Sequence, residues 1–275
     1  MKKIVAIFLS LCAAAAIVTM TSCRSETEAP EAGGSENTSQ NENTKENEEA
    51  NGEDTAVDKV LDYEIDPTKP VIALTFDDGP NTTTTNQVLD LLQKYQVRAS
   101  FFLIGNNITD ASAEVVKRAY DMGCEIDNHS KSHPYMNEMT AEEIISEVQY
   151  VSDKVEEITG QTTLFFRPPY IAVNDTMYQN IDMPFICGAG CDDWDSSVDV
   201  ETRIKRIKRQ AHDGLIILLH DAQGNDQTVE ALDTVIPYLL EEGYQFVTVK
   251  ELFEVKGVAI SGNDTNLYTT VEAAD

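Results

Sequence analysis

From Pro70 onward, short apolar runs alternate with longer segments whose apolar residues recur every three or four positions. The run 71–76 predicts a buried strand, and the apolar positions within 84–95 fall on one face of a helix. Thr140 and Glu143 form a capping box that begins another helix. The further predicted strands are 99–104, 125–128, 164–166, 185–189, 215–219 and 246–249, and the predicted helices are 84–95, 111–122, 140–159, 200–211 and 228–242. This alternation predicts an α/β fold with parallel strands and outer helices, either barrel-like or doubly wound.

The first 23 residues differ from this pattern and resemble a targeting segment. Lys2 and Lys3 precede a mostly apolar run over 4–20, and small polar residues lead to Cys23. The run suits a signal peptide, and the polar tract after it argues against a spanning helix. Because 20–23 resembles a bacterial lipobox, we expect lipidation of Cys23. Ordinary secretion, with Cys23 near a plain cleavage site, is the alternative.

Residues 24–58 are rich in Glu, Asn, Thr, Ser and Gly and have almost no apolar side chains. Such a segment cannot bury enough surface to offset the entropy of ordering, so we expect a disordered acidic linker. The folded domain is expected over 59–256. The polar residues 257–275 are expected to form a loose tail.

The net charge of −28 is not confined to the linker. A folded region this acidic repels phosphate backbones, so nucleic acid is not expected as a partner. Beyond Cys23 the chain has three cysteines, and this odd number implies no disulfide framework. Cys187 and Cys191 could pair, although we expect small buried thiols.

Two adjacent carboxylates, Asp77 and Asp78, follow the first predicted strand, and Gly79 and Pro80 turn the chain at once. A buried strand that ends on acidic residues delivers them to the edge where α/β proteins usually build their sites. The sequence Asp-Gly-Pro is also common in turns, so this stretch alone is equally consistent with a solvent-exposed turn that has no catalytic role.

Two of the four histidines, His129 and His133, follow the third predicted strand. On a helical turn, a spacing of four places both imidazoles on one side, which suits a divalent metal. Taken alone, such a pair of histidines often lies on the protein surface by chance and binds no metal.

Three more polar clusters follow later strands. Arg167 precedes two prolines that stiffen its loop, and it either pairs a carboxylate or lies on a structural turn. Asp193 stands beside Trp194, the only tryptophan, which is either a sugar-stacking platform or a buried ring. His220 ends an apolar strand, where it is either a helix cap or a general acid or base.

In this order the clusters resemble a known family. The segments TFDDGP, HSKSH, RPPY, the DW pair and LLHD are similar to the motifs of the polysaccharide deacetylases of carbohydrate esterase family 4, which contain the NodB homology domain. The resemblance covers about residues 68–252. It implies a distorted (β/α) barrel of about seven parallel strands with outer helices.

The resemblance also implies a metal site and two catalytic groups, one carboxylate and one imidazole. Asp78, His129 and His133 would bind a divalent metal, with zinc expected and cobalt, nickel or iron as alternatives. Asp77 would be the general base for the attacking water, and His220 the general acid for the leaving group.

The remaining expected roles are supporting ones. Arg167 would hold Asp77 ionised and oriented, and Asp193 would do the same for His220. The backbone N–H of Tyr170 would help to stabilise the oxyanion. Trp194 and Leu219 would line the acetate and sugar pocket.

Four positions depart from the family pattern. Asp127 and Ile171 stand where glycine is usual, and Cys187 and Gly190 replace a tryptophan and an aspartate. Asp127 is expected to tolerate an unusual backbone angle or to adjust the charge near the metal. Ile171 is expected to restrict the loop that carries Tyr170. Cys187 and Gly190 are expected to open or reshape the groove.

The sequence thus predicts an extracellular, membrane-anchored N-deacetylase, or a secreted one, that acts as a monomer on a polymer containing N-acetylglucosamine. Peptidoglycan is the first expected substrate and chitin oligomers the second. An esterase that removes O-acetyl groups from xylan is the close alternative. A catalytically inactive glycan-binding lipoprotein is the alternative from another class of protein.

Overall fold

The computed structural model describes residues 63–262 and 264–273. The predicted signal peptide, the lipobox cysteine Cys23 and the predicted linker over 24–58 lie outside the described residues. Within the described ranges, no helix combines the length and the apolar character needed to cross a membrane.

A mostly parallel sheet forms the centre of the fold. Its strands are β1 (Val71–Asp77), β2 (Ser100–Leu103), β3 (Glu125–Asn128), β4 (Phe185–Ile186), β5 (Ala189–Gly190), β6 (Ile216–His220), β7 (Gln245–Val247) and β8 (Leu267–Tyr268). The main ladder runs β3-β2-β1-β6-β5, and β7 also pairs with the start of β1. Phe166 bridges β3 to β4 in parallel, and β4 pairs with β8. The predicted parallel α/β architecture is confirmed.

Seven α-helices accompany these strands in the described part of the chain. They are α1 (Thr84–Tyr95), α2 (Asp110–Asp121), α3 (Ala141–Thr159), α4 (Asp175–Asn180), α5 (Val200–Gln210), α6 (Asp226–Glu241) and α7 (Val249–Lys256). The predicted capping box is present, because Thr140 and Glu143 each accept a hydrogen bond from the backbone N–H of the other. The helix that it begins ends at Gly160, which has a left-handed backbone.

β1 is buried along its whole length and separates two apolar clusters. Because successive side chains of a strand point to opposite faces, Val71 and Ala73 join an inner cluster, whereas Leu74 and Phe76 join an outer cluster with α1 and α6. A strand with both faces covered is typical of parallel sheets. The fold therefore fixes β1 firmly, and with it the acidic residues at its carboxyl end.

Three predicted strands differ from the structure. The strand predicted over 164–166 is reduced to the bridge at Phe166, and the one over 185–189 is divided into β4 and β5. The strand predicted over 246–249 ends at Val247 because Thr248 caps α7. The helices α4 and α7 were not predicted.

The expectation of a loose C-terminal tail is wrong for residues 267–271. Tyr268 accepts backbone hydrogen bonds from Cys187 and Gly188, and the N–H of Ile216 donates to Thr269. Val271 is buried in the inner cluster. The segment is held by backbone hydrogen bonds and by three side chains, Leu267, Tyr268 and Val271, that pack against the apolar clusters.

We predict that Val271→Ala lowers the free energy of unfolding by about 1–3 kcal/mol, because it removes two buried methyl groups and leaves a cavity. Urea denaturation provides the measurement. Thr269→Ala is the matched control, since the Thr269 side chain is exposed and only its backbone forms the ladder. Equal stabilities of the two variants would show that the C-terminal segment does not pack as described.

Candidate active site

The polar clusters meet at the carboxyl ends of the central strands. Asp77 ends β1 beside His220 of β6 in the same register, and His129 follows β3. Arg167 follows the bridge residue Phe166, and Asp193 follows β5. Since parallel strands present their carboxyl ends on one edge, segments far apart in sequence contribute to one site.

Asp78, His129 and His133 place three potential metal-ligand atoms within 4.8 Å of one another. The Oδ1 atom of Asp78 lies 3.7 Å from Nε2 of His129 and 3.8 Å from Nε2 of His133. Two ligands that each lie about 2.1 Å from a tetrahedral ion are roughly 3.4 Å apart, so small shifts would accommodate a metal.

Two further observations support this donor set. Oδ1 of Asp78 is buried, and no described residue forms a hydrogen bond with it. Nδ1 of His129 lies 2.7 Å from the carbonyl oxygen of Arg167. An Nδ1–H that donates to this carbonyl leaves the lone pair of Nε2 available to a metal. The three residues therefore fit a divalent cation.

The spacing of four suggested a helical turn, but the two histidines do not lie on one. Residues 129–133 form a loop in which Ser130 and His133 have φ angles of 66° and 55°. The backbone N–H of His133 donates to Oγ of Ser130 at 3.0 Å. This loop, rather than a helix, brings the imidazole rings to a centroid distance of 4.8 Å.

The chain turns sharply between the two adjacent carboxylates. Asp78 has a φ of 73°, and its carbonyl accepts a hydrogen bond from Asn107 at 2.8 Å. At Gly79 a Cβ would lie 2.6 Å from Oδ2 of the buried Asp221, so only glycine fits without displacement. Asp77 and Asp78 each place a carboxylate oxygen 3.7 Å from Nε2 of His129, but only Asp77 contacts Arg167 and only Asp78 contacts His133.

Asp77 forms a buried ion pair with Arg167. Nη1 of Arg167 lies 2.6 Å from Oδ1 of Asp77, and both side chains are almost fully buried. Burial alone would raise the pKa of Asp77, but the positive charges of Arg167, His129 and His220 outweigh it and the pKa is lowered. Asp77 is therefore ionised and able to accept a proton.

His220 has its own carboxylate partner. Nδ1 of His220 lies 2.9 Å from Oδ1 of Asp193, whose Oδ2 accepts the backbone N–H of His220 at 2.8 Å. Burial would lower the pKa of His220, but the hydrogen bond and charge of Asp193, aided by Asp77 and Asp78, raise it to about 9. His220 therefore carries a proton at neutral pH.

A buried arginine that the sequence reasoning missed supports this pair. Arg203 donates to Oγ1 of Thr228 at 2.8 Å and to Oδ1 of Asn225 at 2.7 Å. Thr228 in turn donates to Oδ2 of Asp193 at 2.8 Å. Arg203 lies one helical turn before the buried Ile207, and this placement on the apolar face of α5 was the available signal.

A cavity of about 590 Å³ connects these groups. Tyr170 and Trp194 line it, as do the metal-ligand candidates and His220. The predicted position of Leu219 is wrong, because Leu219 faces the outer cluster and Leu218 lines the cavity. Adjacent residues of a strand point to opposite faces, which explains the error.

Comparison with known proteins identifies the family. The family model of the polysaccharide deacetylases matches residues 64–183. Over 202 residues the chain is 36% identical to a peptidoglycan-N-acetylglucosamine deacetylase of Bacillus cereus, which covers 70% of this chain and 93% of that protein. The chain belongs to the polysaccharide deacetylases of carbohydrate esterase family 4.

Two other similar proteins are connected with xylan by name. A bifunctional xylanase/deacetylase of Pseudobutyrivibrio xylanivorans is 52% identical over 188 residues, which are 68% of this chain but only 31% of that protein. The structure of a family 4 acetyl xylan esterase from Clostridium thermocellum, in complex with a cobalt ion, is 40% identical with a TM-score of 0.71. The match covers 73% of this chain and 98% of that one.

Three of the four departures from the family pattern can be described in the structure. The expectation of an unusual backbone angle at Asp127 is wrong, because Asp127 does not have a positive φ. Its Oδ1 accepts hydrogen bonds from the backbone N–H groups of Leu164 and Phe165 at 3.1 and 3.0 Å. Ile171 has a φ of 54°, which is costly for a β-branched residue. Cys187 lines the cavity as a free thiol, so it is not paired with Cys191.

We predict that Asp193→Asn shifts the alkaline limb of the pH–rate profile for acetate release to lower pH. A general acid acts only while protonated, and its protonated fraction falls as the pH rises through its pKa. Loss of the negative charge lowers the pKa of His220 from about 9, so activity disappears at a lower pH. The measurement is kcat/KM between pH 6 and about 10.

Asp195→Asn is the control for this experiment. Asp195 is only two residues away, but its carboxylate accepts a hydrogen bond from Ser197 rather than from His220. An unshifted alkaline limb in Asp193→Asn would rule out His220 as the group that titrates there.

Proposed function

We propose that this protein is a metal-dependent hydrolase that removes acetyl groups from a polysaccharide. The observation that carries the proposal is the different environment of two adjacent carboxylates. Asp77 is ion-paired with Arg167, whereas the candidate co-ligands of the buried Oδ1 of Asp78, among the described residues, are two imidazole nitrogens. A proton acceptor and a metal-ligand set thus stand side by side.

The proposed metal ligands are Asp78, His129 and His133, with zinc as the first candidate and cobalt, nickel or iron as alternatives. A bound divalent cation would supply Lewis-acid activation of water and of the acetyl carbonyl. The presence of cobalt in the related acetyl xylan esterase supports this assignment.

The residues of the chain then have complementary tasks. Asp77, kept ionised by Arg167, takes a proton from the attacking water as the bond between water oxygen and acetyl carbon forms. The backbone N–H of Tyr170 stabilises the developing oxyanion. His220, held by Asp193, donates its proton to the leaving oxygen or nitrogen as the bond to the acetyl carbon breaks. The products are acetate and a free hydroxyl or amine.

Acetylated xylan and polymers of N-acetylglucosamine are the two substrates to consider. The same acid and base serve an ester or an amide, so the catalytic groups do not separate them. The names of the relatives at 52% and 40% identity favour xylan over the peptidoglycan that the sequence first suggested. The relative that acts on peptidoglycan N-acetylglucosamine, at 36% identity, keeps the N-deacetylase in consideration.

The expected location and assembly follow from the sequence. A signal peptide with lipidated Cys23 and a linker over 24–58 would place the domain outside the cell, tethered to the membrane. We propose a monomer that reaches extracellular polysaccharide. The hypothesis of an inactive binding lipoprotein is disfavoured because the base, the acid and all three ligand candidates are retained and lie close together.

The protein loaded with zinc or cobalt should release acetate from acetylxylan, chitopentaose or both, and the metal-stripped protein should release none. His129→Ala should abolish release on every substrate. His212→Ala is the matched control, because His212 is exposed and lies outside the site. Acetate release that survives removal of the metal, or survives His129→Ala, would contradict the proposal.

A further inference from the structure

A row of three side chains crosses the inner face of the sheet. Asp127, the third residue of β3, is fully buried and pairs in register with Phe102 of β2, which pairs in turn with Asp77 at the end of β1. In-register neighbours of a parallel sheet project to the same face, and Phe102 belongs to the inner cluster. A carboxylate therefore stands at each end of this row.

Arg167 lies over the middle of the row. Its guanidinium carbon is 4.1 Å from the centre of the Phe102 ring, and its Nη1 is 2.6 Å from Oδ1 of Asp77. The side chain is completely buried, so solvent does not support it. The placement of Arg167 thus depends on these contacts and on the backbone that leads to it.

The carboxylate of Asp127 holds that backbone. Its Oδ1 accepts hydrogen bonds from the N–H groups of both Leu164 and Phe165. Successive N–H groups of an extended strand point to opposite sides, so one oxygen accepts both only where the backbone departs from a regular strand. This explains why the strand predicted over 164–166 is reduced to a bridge at Phe166.

Arg167, one residue past the bridge, connects this anchor to the site. Its N–H donates to the carbonyl of Asn128 at 2.9 Å, and its own carbonyl lies 2.7 Å from Nδ1 of His129. Its side chain binds Asp77. A displaced Arg167 would therefore move the proposed base and a proposed metal ligand together.

We propose that Asp127 is a positioning residue that acts through Arg167. By fixing the backbone before Arg167, it orients Asp77 and His129. Hydrogen bonding rather than charge carries this role, because Oδ1 makes both bonds and the buried Oδ2 has no hydrogen-bond partner among the described residues. Asp127 does not line the cavity that holds the reacting groups. The proposal rests on the proposed metal-dependent deacetylase function.

Asp127→Ala and Asp127→Asn separate hydrogen bonding from charge. Loss of a group that orients a metal ligand typically costs about 10- to 100-fold in metal affinity or activity, so Asp127→Ala should lower both zinc affinity and kcat for acetate release by about 10-fold or more. KM should stay within about 2-fold of the wild-type value, because no contact with substrate is removed. Asp127→Asn keeps an acceptor oxygen in place of Oδ1 and should retain both zinc affinity and kcat.

Val271→Ala is the control for a general loss of stability. Val271 donates its backbone N–H to Gly214, which precedes β6 and lies at the opposite end of that strand from His220. This variant should keep the wild-type kcat and zinc affinity. Thermal unfolding shows whether each variant is folded, and Asp127→Ser, whose hydroxyl oxygen lies one bond short of Oδ1, takes the place of Asp127→Ala if that variant does not fold.

Calorimetric titration of the full-length, metal-free protein with zinc separates this proposal from the proposed function. Unchanged zinc affinity or unchanged kcat in Asp127→Ala would overturn the positioning role. An equal loss in Asp127→Asn would overturn it as well, because that result would assign the effect to charge. Zinc affinity that falls in Asp127→Ala but not in Asp127→Asn, in a protein that releases no acetate from any substrate, would support the positioning role and refute the deacetylase instead.

Discussion

The buried ion pair between Asp77 and Arg167 is the interaction on which the candidate site depends. Two charges removed from water are stable only when their geometry is good, and removal of one partner typically costs about 3–5 kcal/mol. Nη1 of Arg167 meets Oδ1 of Asp77 at 2.6 Å, whereas the buried Nε and Nη2 of Arg167 have no hydrogen-bond partner among the described residues. Arg167 also accepts the Nδ1–H of His129 on its carbonyl and stacks on Phe102 at 4.1 Å. One residue thus orients both the proposed base and a proposed metal ligand.

A second carboxylate–cation pair repeats this arrangement at the end of the neighbouring strand β6. Asp193 holds His220 by two hydrogen bonds, and Arg203 reaches Asp193 through Thr228. The two pairs act in opposite directions on protonation. Arg167 keeps a carboxylate ionised, whereas Asp193 keeps an imidazole protonated. A site with a proton acceptor and a proton donor beside the metal-ligand candidates suits hydrolysis of an acyl bond.

The sequence predicted the elements with strong periodicity and the residues at strand ends, since β1 and α1 depend on local patterns and the motifs on local spacing. The family resemblance also implied the tertiary pairs of Arg167 with Asp77 and of Asp193 with His220, and both are present. Contacts outside the motifs could not be predicted. The supporting role of Arg203 is evident only once α5 packs beside Thr228. The segment 267–271 is held by backbone hydrogen bonds and side-chain contacts to elements that are distant in sequence. Leu219 was misplaced because a shift of one residue exchanges the faces of a strand.

The most direct test compares zinc binding by Asp77→Asn and Asp78→Asn, measured by calorimetry on metal-free protein whose thermal unfolding confirms a folded state. We predict that Asp77→Asn still binds one zinc ion but releases no acetate, because the Asp77 carboxylate accepts a proton and does not hold the metal. Asp78→Asn should lose zinc binding as well as activity. Loss of zinc in Asp77→Asn, or turnover that persists in it, would contradict the division of roles between these two adjacent residues.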